Sequence, residues 1–334
     1  MIIFQCKKGR PVLNSTLRTK ALIEGALMAC ITAILALTGT YLPFLGFIIT
    51  LFFAIPTIII AIRHGLSAAV LSLLTAGVLV AILYEPVRGA ALLLDFGPLA
   101  LFYGYALSRN KSPVLTLTVG AVVSAASQLL AIYFIYLLTG VNELSLFEQM
   151  RESIEPMIET LREMGTFNNP QITEEMARQM LNAYVDGVLL LIPGAFALFG
   201  IFAAVTNYVI SQKVLSKLGK FIQPLPPFTQ WKMPWWGIYG LILGLVFNVA
   251  GNWKDNELLG RIGINIINVY WILFFVLGMS LVFYLQNRYF PGKMFRWFLI
   301  FIIVLFYSSI AYIVIIVALI DTFYDFRQKI ARKI

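Results

Sequence analysis

Few side chains in this sequence have the chemistry for a reaction or a ligand, so the positions of those few carry weight. Asp95 lies deep in an apolar stretch beside Gly97 and Pro98. Inserting such a carboxylate in a membrane costs ~2.5–3.5 kcal/mol, which invites a ligand or cation role. The proline is expected to break the helix and free backbone carbonyls, and discontinuous helices commonly line transporter sites. Arg88 stands two turns earlier, with Glu85 just before it. The two rim the entry to a pocket or are solvated loop charges, and Arg88 is also a candidate structural partner for Asp95. Arg261, Asn265 and Asn268 fall at i, i+4 and i+7, which puts three polar groups on one helix face. That face forms a polar helix seam or lines a wet cavity. Gln128 and Asn207 read as interhelical glue. Glu24 is expected to pair with Arg18 or Lys20, and Asp321, Asp325, Arg327 and Lys329 fit an ion network at a helix end.

The inventory is as telling for what it excludes. His64 is the single histidine, and the two cysteines, Cys6 and Cys30, suggest no disulfide framework. No nucleophile stands beside a base, and neither a GKS/GKT phosphate loop nor a glycine-rich dinucleotide fingerprint occurs. The expectation is a protein that is not an enzyme, has no cofactor and no metal, and does not hydrolyse ATP itself.

The elements that must position these groups are membrane helices. Of 334 residues 60% are hydrophobic and 12% charged, with mean hydropathy +0.86. Soluble domains carry about 25% charge, so a soluble enzyme, a disordered chain and a nucleic-acid-binding domain are excluded. Apolar runs near 21–41, 44–62, 65–84, 89–107, 113–138, 185–212, 235–251, 259–286 and 294–320 approach the ~20 residues that cross a bilayer. Backbone groups in lipid must be satisfied internally, so these runs are helices. The fold class is all-α: a polytopic membrane protein of about nine transmembrane helices, or ten if the last run is split. The chain divides into a basic segment 1–20, five helices in 21–140, an acidic hairpin 141–184, a sixth helix 185–212, a basic Pro/Trp-rich loop 213–234, C-terminal helices in 235–326 and a basic tail 327–334.

Charge sets the orientation. With the N-terminus inside, the inner loops hold fifteen basic residues and no acidic one. The positive-inside rule then gives a plasma-membrane protein with a cytoplasmic N-terminus and an extracytoplasmic hairpin. An odd number of spans would leave the basic tail outside. A break of the last run near residues 308–309 would return it to the cytoplasm, and the reading leans that way. The hairpin is read as two amphipathic helices. The first has Ser145 and Glu148 at capping-box spacing and Ile154, Met157, Ile158 and Leu161 on its apolar stripe; the second is capped by Thr173 and runs through Met176, Met180 and Tyr184 into the sixth span. Its apolar stripe packs on the protein's own rim or serves as a lid or docking surface. The loop 223–236, QPLPPFTQWKMPWW, reads as an interfacial belt and rigid turn, with partner binding as the alternative. Ala21, Gly25, Ala29 and Ala33 form a small-residue stripe along the first span, suited to close helix approach inside the protein or against a partner helix.

Residues 19–110, opening TKALIEGALMAC and closing LALFYGYALSRN, resemble the YybS-type family of uncharacterised bacterial membrane proteins, as does the ending LIDTFYDFRQK at 319–329. The first half also resembles the substrate-binding S subunits of energy-coupling-factor transporters. That pattern is a small-residue first helix, Pro43 and Pro56, the Arg63-His64-Gly65 turn and the small residues of 67–77. It implies an integral membrane protein that binds, and helps transport or senses, a small metabolite, using the stripe at Ala21, Gly25, Ala29 and Ala33 to dock an energising transmembrane and ATPase complex. The acidic insertion and the extra C-terminal spans depart from that pattern. The alternative is a non-transporting envelope scaffold that binds partner membrane proteins through the hairpin and the first helix. In either case the bilayer is a partner and nucleic acid is not.

Overall fold

The computed structural model describes residues 13–42, 46, 48–49, 52–140, 145–168 and 173–332. Every regular element among them is helical. Two compact units emerge, one made of Met1–Glu143 with Phe199–Pro224, the other of Leu144–Leu198 with Leu225–Ile334.

The first unit contains α1 (Leu13–Tyr41), α2 (Ala54–His64), α3 (Leu66–Leu83), α4 (Pro86–Ser108) and α5 (Pro113–Thr139). It also takes the second half of α8 (Glu174–Lys217). Its core is built from small and branched side chains: Ala33, Ala36, Phe53, Leu73, Val80 and Leu92, with Ile60, Ala61 and Ala69 beside them. Small residues let the backbones approach where lipid gives no hydrophobic drive for association. Ser72 donates to the carbonyl of Gly25 across that contact at 2.7 Å, and Tyr103, fully buried on α4, donates to Ala204 on α8 at 2.8 Å.

The second unit contains α6 (Ser145–Glu152), α7 (Ile154–Glu163), the first half of α8, α9 (Ile238–Trp253), α10 (Glu257–Tyr289), α11 (Lys293–Leu305), α12 (Tyr307–Tyr324) and α13 (Phe326–Arg332). Glycines bring its helices together. A Cβ on Gly263 would collide with the backbone of Asn248 on α9, and one on Gly278 with the backbone of Val314 on α12.

Among the described residues eight helices are long and apolar enough to cross a membrane. Two runs differ from expectation. The expected span 44–62 falls partly outside the described residues, as does Pro43; its described helix is α2, eleven residues. The final run is broken as expected, but at Phe306. At 1.5 Å per residue the thirteen residues of α11 reach only ~20 Å, short of a ~30 Å hydrocarbon layer. Arg296 at the start of α11 binds Gln286 and Asn287 at the end of α10, and the segment after α12 returns to that same end, as shown below. The pair α11–α12 is therefore a helical hairpin that enters and leaves at one end of the unit.

Candidate functional site

The sequence-based candidates fall into both units. In the first, α4 runs unbroken from Pro86 to Ser108 through Pro98, so the expected break beside Asp95 is absent. Pro98 is exposed, while Gly97 beside it is buried against Leu73, so α3 braces the helix where the proline removes one donor. Asp95 is half-buried on this continuous helix. Arg88 lies 4.0 Å from Glu85, both exposed, in a loose i,i+3 pair. The Glu24 carboxylate lies 3.2 Å from Arg63 and 2.8 Å from His64 at the end of α2; the charge of Lys20, an expected partner, also acts on it, and the side chain of Arg18 lies outside the described side chains. That contact ties two chain segments forty residues apart. The small-residue stripe is consumed internally. Gly25, Ala29 and Ala33 are buried and Ala21 partly so, while the opposite face, with Leu22, Ile23, Leu27 and Ile34, is exposed.

In the second unit, Asn265 is a staple, not a free ligand. Its Oδ1 accepts from Gly194 N at 2.7 Å, and its Nδ2 donates to Leu190 O and Arg261 O, both at 2.8 Å. Gly194 N–H and Leu190 C=O are the pair that would bond to each other in a regular helix. The Asn265 amide bridges them next to Pro193, where α8 lacks a donor. Both amide hydrogens and the oxygen are used, so the polar-seam reading holds for this residue. Arg261 is exposed and pairs with Glu257 at 3.2 Å, and Asn268 is half-buried. Gln128 and Asn207 turn back to their own helices, bonding Ser124 and Ala203.

The hairpin packs on itself. Ile154 and Ile158 of α7 and Val185 of α8 are buried together, backed by Phe167, Ala177, Leu181 and Leu189. Thr173 caps α8 as expected, accepting from Met176 N at 3.2 Å, and α8 continues without interruption through its apolar stretch. The expected capping-box side chains of Ser145 and Glu148 lie outside the described side chains. The helices run antiparallel: Arg151 pairs with Asp186, Arg178 with Glu155, and Arg162 with Glu174 at 2.6 Å. The hydrogen bond to Glu174, and then its charge, hold the Arg162 guanidinium above its ordinary range. Helical periodicity places these arginines on one flank. Met150, Met157 and Met164, seven residues apart, and Met176, Met180 and Tyr184, four apart, follow the other flank. All six are exposed, Met180 at 72% and Met164 at 74%.

A second polar constellation closes the far end of this unit. Asp325 takes a left-handed conformation, φ 43°, that ends α12 and starts α13. Its carboxylate caps Gln328 N and pairs with Lys232. Burial pushes this carboxyl up, but the Lys232 hydrogen bond, the Gln328 N–H and the charges of Lys232 and Arg327 outweigh it, so the group titrates below its ordinary 3.8. Asp321 accepts from Phe326 N at 2.9 Å and lies 3.5 Å from Arg327. The buried guanidinium of Arg327 donates to Thr229 O at 2.7 Å and Ser280 Oγ at 3.2 Å, and stacks over Tyr284. Burial lowers its pKa, with Asp321 opposing the shift. Ser280 Oγ lies within 2.5 and 2.9 Å of the Phe228 and Trp231 carbonyls. The ending LIDTFYDFRQK is thus a clasp that holds the Pro/Trp loop against α10. Of the expected ion network the Asp321–Arg327 pair is present, while Asp325 takes Lys232 as its partner and Lys329 lies over the Tyr324 ring. The clasp's reach to a loop nearly a hundred residues away had no sequence signal beyond the charges themselves.

No group of three His, Cys, Asp or Glu side chains among the described residues converges as a metal site. A pocket of about 460 Å³ lies in the first unit, lined by Leu107, Asn110, Lys111, Tyr208, Phe221, Ile222 and Gln223, away from every sequence-based ligand candidate.

Comparison with known proteins fits this architecture. The model of a family described as predicted membrane protein, DUF2232, matches residues 30–322. The chain is also similar to the uncharacterized protein YybS of Bacillus subtilis strain 168, at 25% identity over 281 residues, covering 82% of this chain and 87% of that protein. No solved structure matches it.

Proposed function

The chain belongs to the DUF2232 family of predicted membrane proteins, and within that family we propose a non-transporting envelope scaffold that recruits partner membrane proteins on its helical hairpin. The observation that carries this reading is the asymmetry of the hairpin: one flank closed by arginine pairs, the other an open row of methionines and a tyrosine. Methionine is flexible and polarizable, and it suits surfaces that adapt to an apolar partner. Glu152, Glu163 and Glu175 lie outside the hairpin's arginine pairs, so the matching partner is an apolar helix face rimmed by lysine or arginine. In this reading the N-terminus is cytoplasmic, the hairpin faces outward from the plasma membrane, and the C-terminal tail shares the cytoplasmic side with the Pro/Trp loop. Cysteines placed at Met164 and Lys232 in a background without Cys6 and Cys30 test the map. A membrane-impermeant maleimide on intact cells labels the first and spares the second; the reverse pattern overturns the proposal.

A second reading is S-subunit-like uptake or sensing of a small metabolite with a separate energising complex. It rests on the half-buried Asp95 beside Gly97 and Pro98 in α4. A small molecule that co-purifies with the wild type and is lost from a normally expressed Asp95→Ala variant supports it, and undiminished co-purification removes Asp95 from any site.

A further inference from the structure

The pocket of the first unit has a chemistry that the scaffold reading leaves unused. Its floor is apolar: Leu107 is 2% exposed, Ile222 5%, and Tyr208 is fully buried with its hydroxyl donating to Gln223 O at 2.7 Å. Its one charged lining residue is a cation, Lys111. The chain flanking the lining residues, 109–112 and 213–223, carries Arg109, Lys213, Lys217 and Lys220 besides, without one carboxylate. The positive end of α5 begins at Pro113, next to Lys111. Asn110 holds a left-handed φ of 48° that turns the chain at the pocket edge. Phe221, 81% exposed, stands at the mouth. The pocket lies at the C-terminal end of α4 and near that of α8, which the topology proposed above puts at the cytoplasmic headgroup layer.

We propose that this pocket binds a phosphate ester group, with Lys111 as its principal cation and Phe221 as the apolar contact for attached hydrocarbon, and that the occupant is an anionic phospholipid of the surrounding leaflet. The volume falls in the 300–1,000 Å³ range of small-ligand pockets. Basic pockets between helices at a cytoplasmic membrane face are suited to such headgroups. The apolar floor and the aromatic at the mouth favour a lipid over a free ion, which would gain nothing from them. The proposal is independent of the hairpin.

The full-length protein, purified in neutral detergent, tests it by native mass spectrometry during titration with phosphatidylglycerol, phosphatidylcholine or inorganic phosphate. Wild type is expected to hold phosphatidylglycerol in preference to phosphatidylcholine. Lys111→Gln, an exposed position that does not threaten folding, is expected to weaken phosphatidylglycerol about fivefold, the effect of one cation near an anionic surface. Phe221→Ser is expected to weaken both lipids, and Lys254→Gln neither. Displacement of bound phosphatidylglycerol by inorganic phosphate supports the anion site and assigns it to a soluble phosphoester. Equal retention of both lipids, or an unchanged Lys111→Gln, overturns it.

Discussion

The second unit uses the same ion pair, arginine with carboxylate, at its two ends to opposite effect. In the hairpin Arg151, Arg162 and Arg178 meet their partners in water, with every side chain a third or more exposed. At the clasp the Arg327 and Asp321 side chains are 9% and 4% exposed. Exposed pairs contribute little because solvent screens them and both side chains lose freedom. A buried pair is costly to assemble, yet removing one partner strands the other. The hairpin pairs therefore set which flank faces outward without fixing stability, while the clasp is a structural lock. Burial, more than the type of contact, decides which role a charge plays here.

This contrast breaks most readily at Arg327. Arg327→Ala leaves Asp321 buried without its countercharge and is expected to cost about 3–5 kcal/mol, read as protease cleavage within 225–234 at concentrations that spare the wild type. Retained protection would mean that the loop holds itself against α10. Next in size, Asn265→Ala strands Gly194 N–H and Leu190 C=O beside Pro193 and should cost about 1–3 kcal/mol, measured as a lowered Tm in detergent. An unchanged Tm would show that the two helix groups re-pair once the amide is gone.

Smaller effects sharpen the picture at the clasp rim. Asp325 titrates below its ordinary 3.8, so its contact with Lys232 contributes stability that is fully present above that value and is lost as pH falls through the lower folded pKa. Hydrogen exchange at 228–232 should accelerate only in that acid range in the wild type. In Lys232→Gln it should already be faster at neutral pH, by an amount consistent with about 1 kcal/mol or less, since the lysine is 44% exposed. A profile identical to the wild type would remove the contact from the clasp. Smallest of all, Arg178→Gln in the hairpin should leave Tm unchanged, and a substantial drop would erase the distinction between the two ends.

How much of this was legible in the sequence follows from the range of each interaction. The apolar runs, the acidic hairpin with its Thr173 cap, and the split of the last run all depend on local pattern and were readable, the split to within two residues. The spacing of Arg261, Asn265 and Asn268 located the polar seam, but nothing local pointed across seventy residues to Gly194. Pro98 misled because a proline ends helices in water, whereas here a neighbouring helix braces it. Glu24 was matched to the nearest cations in sequence, and the fold offered Arg63 and His64. The methionine flank was visible as spacing, but its openness depended on which side the arginines closed.

The scaffold reading stands or falls on that flank. Photo-crosslinking residues placed singly at Met157, Met180, Glu155 and Asn182 in living cells test it directly, the last two lying on the flank that the arginines close. The account predicts one discrete adduct from Met157 and Met180, none from the other two, and loss of the Met157 adduct on Met180→Asp in a protein that remains folded in the membrane. Equal adducts from all four positions, or none from the methionines, would contradict it.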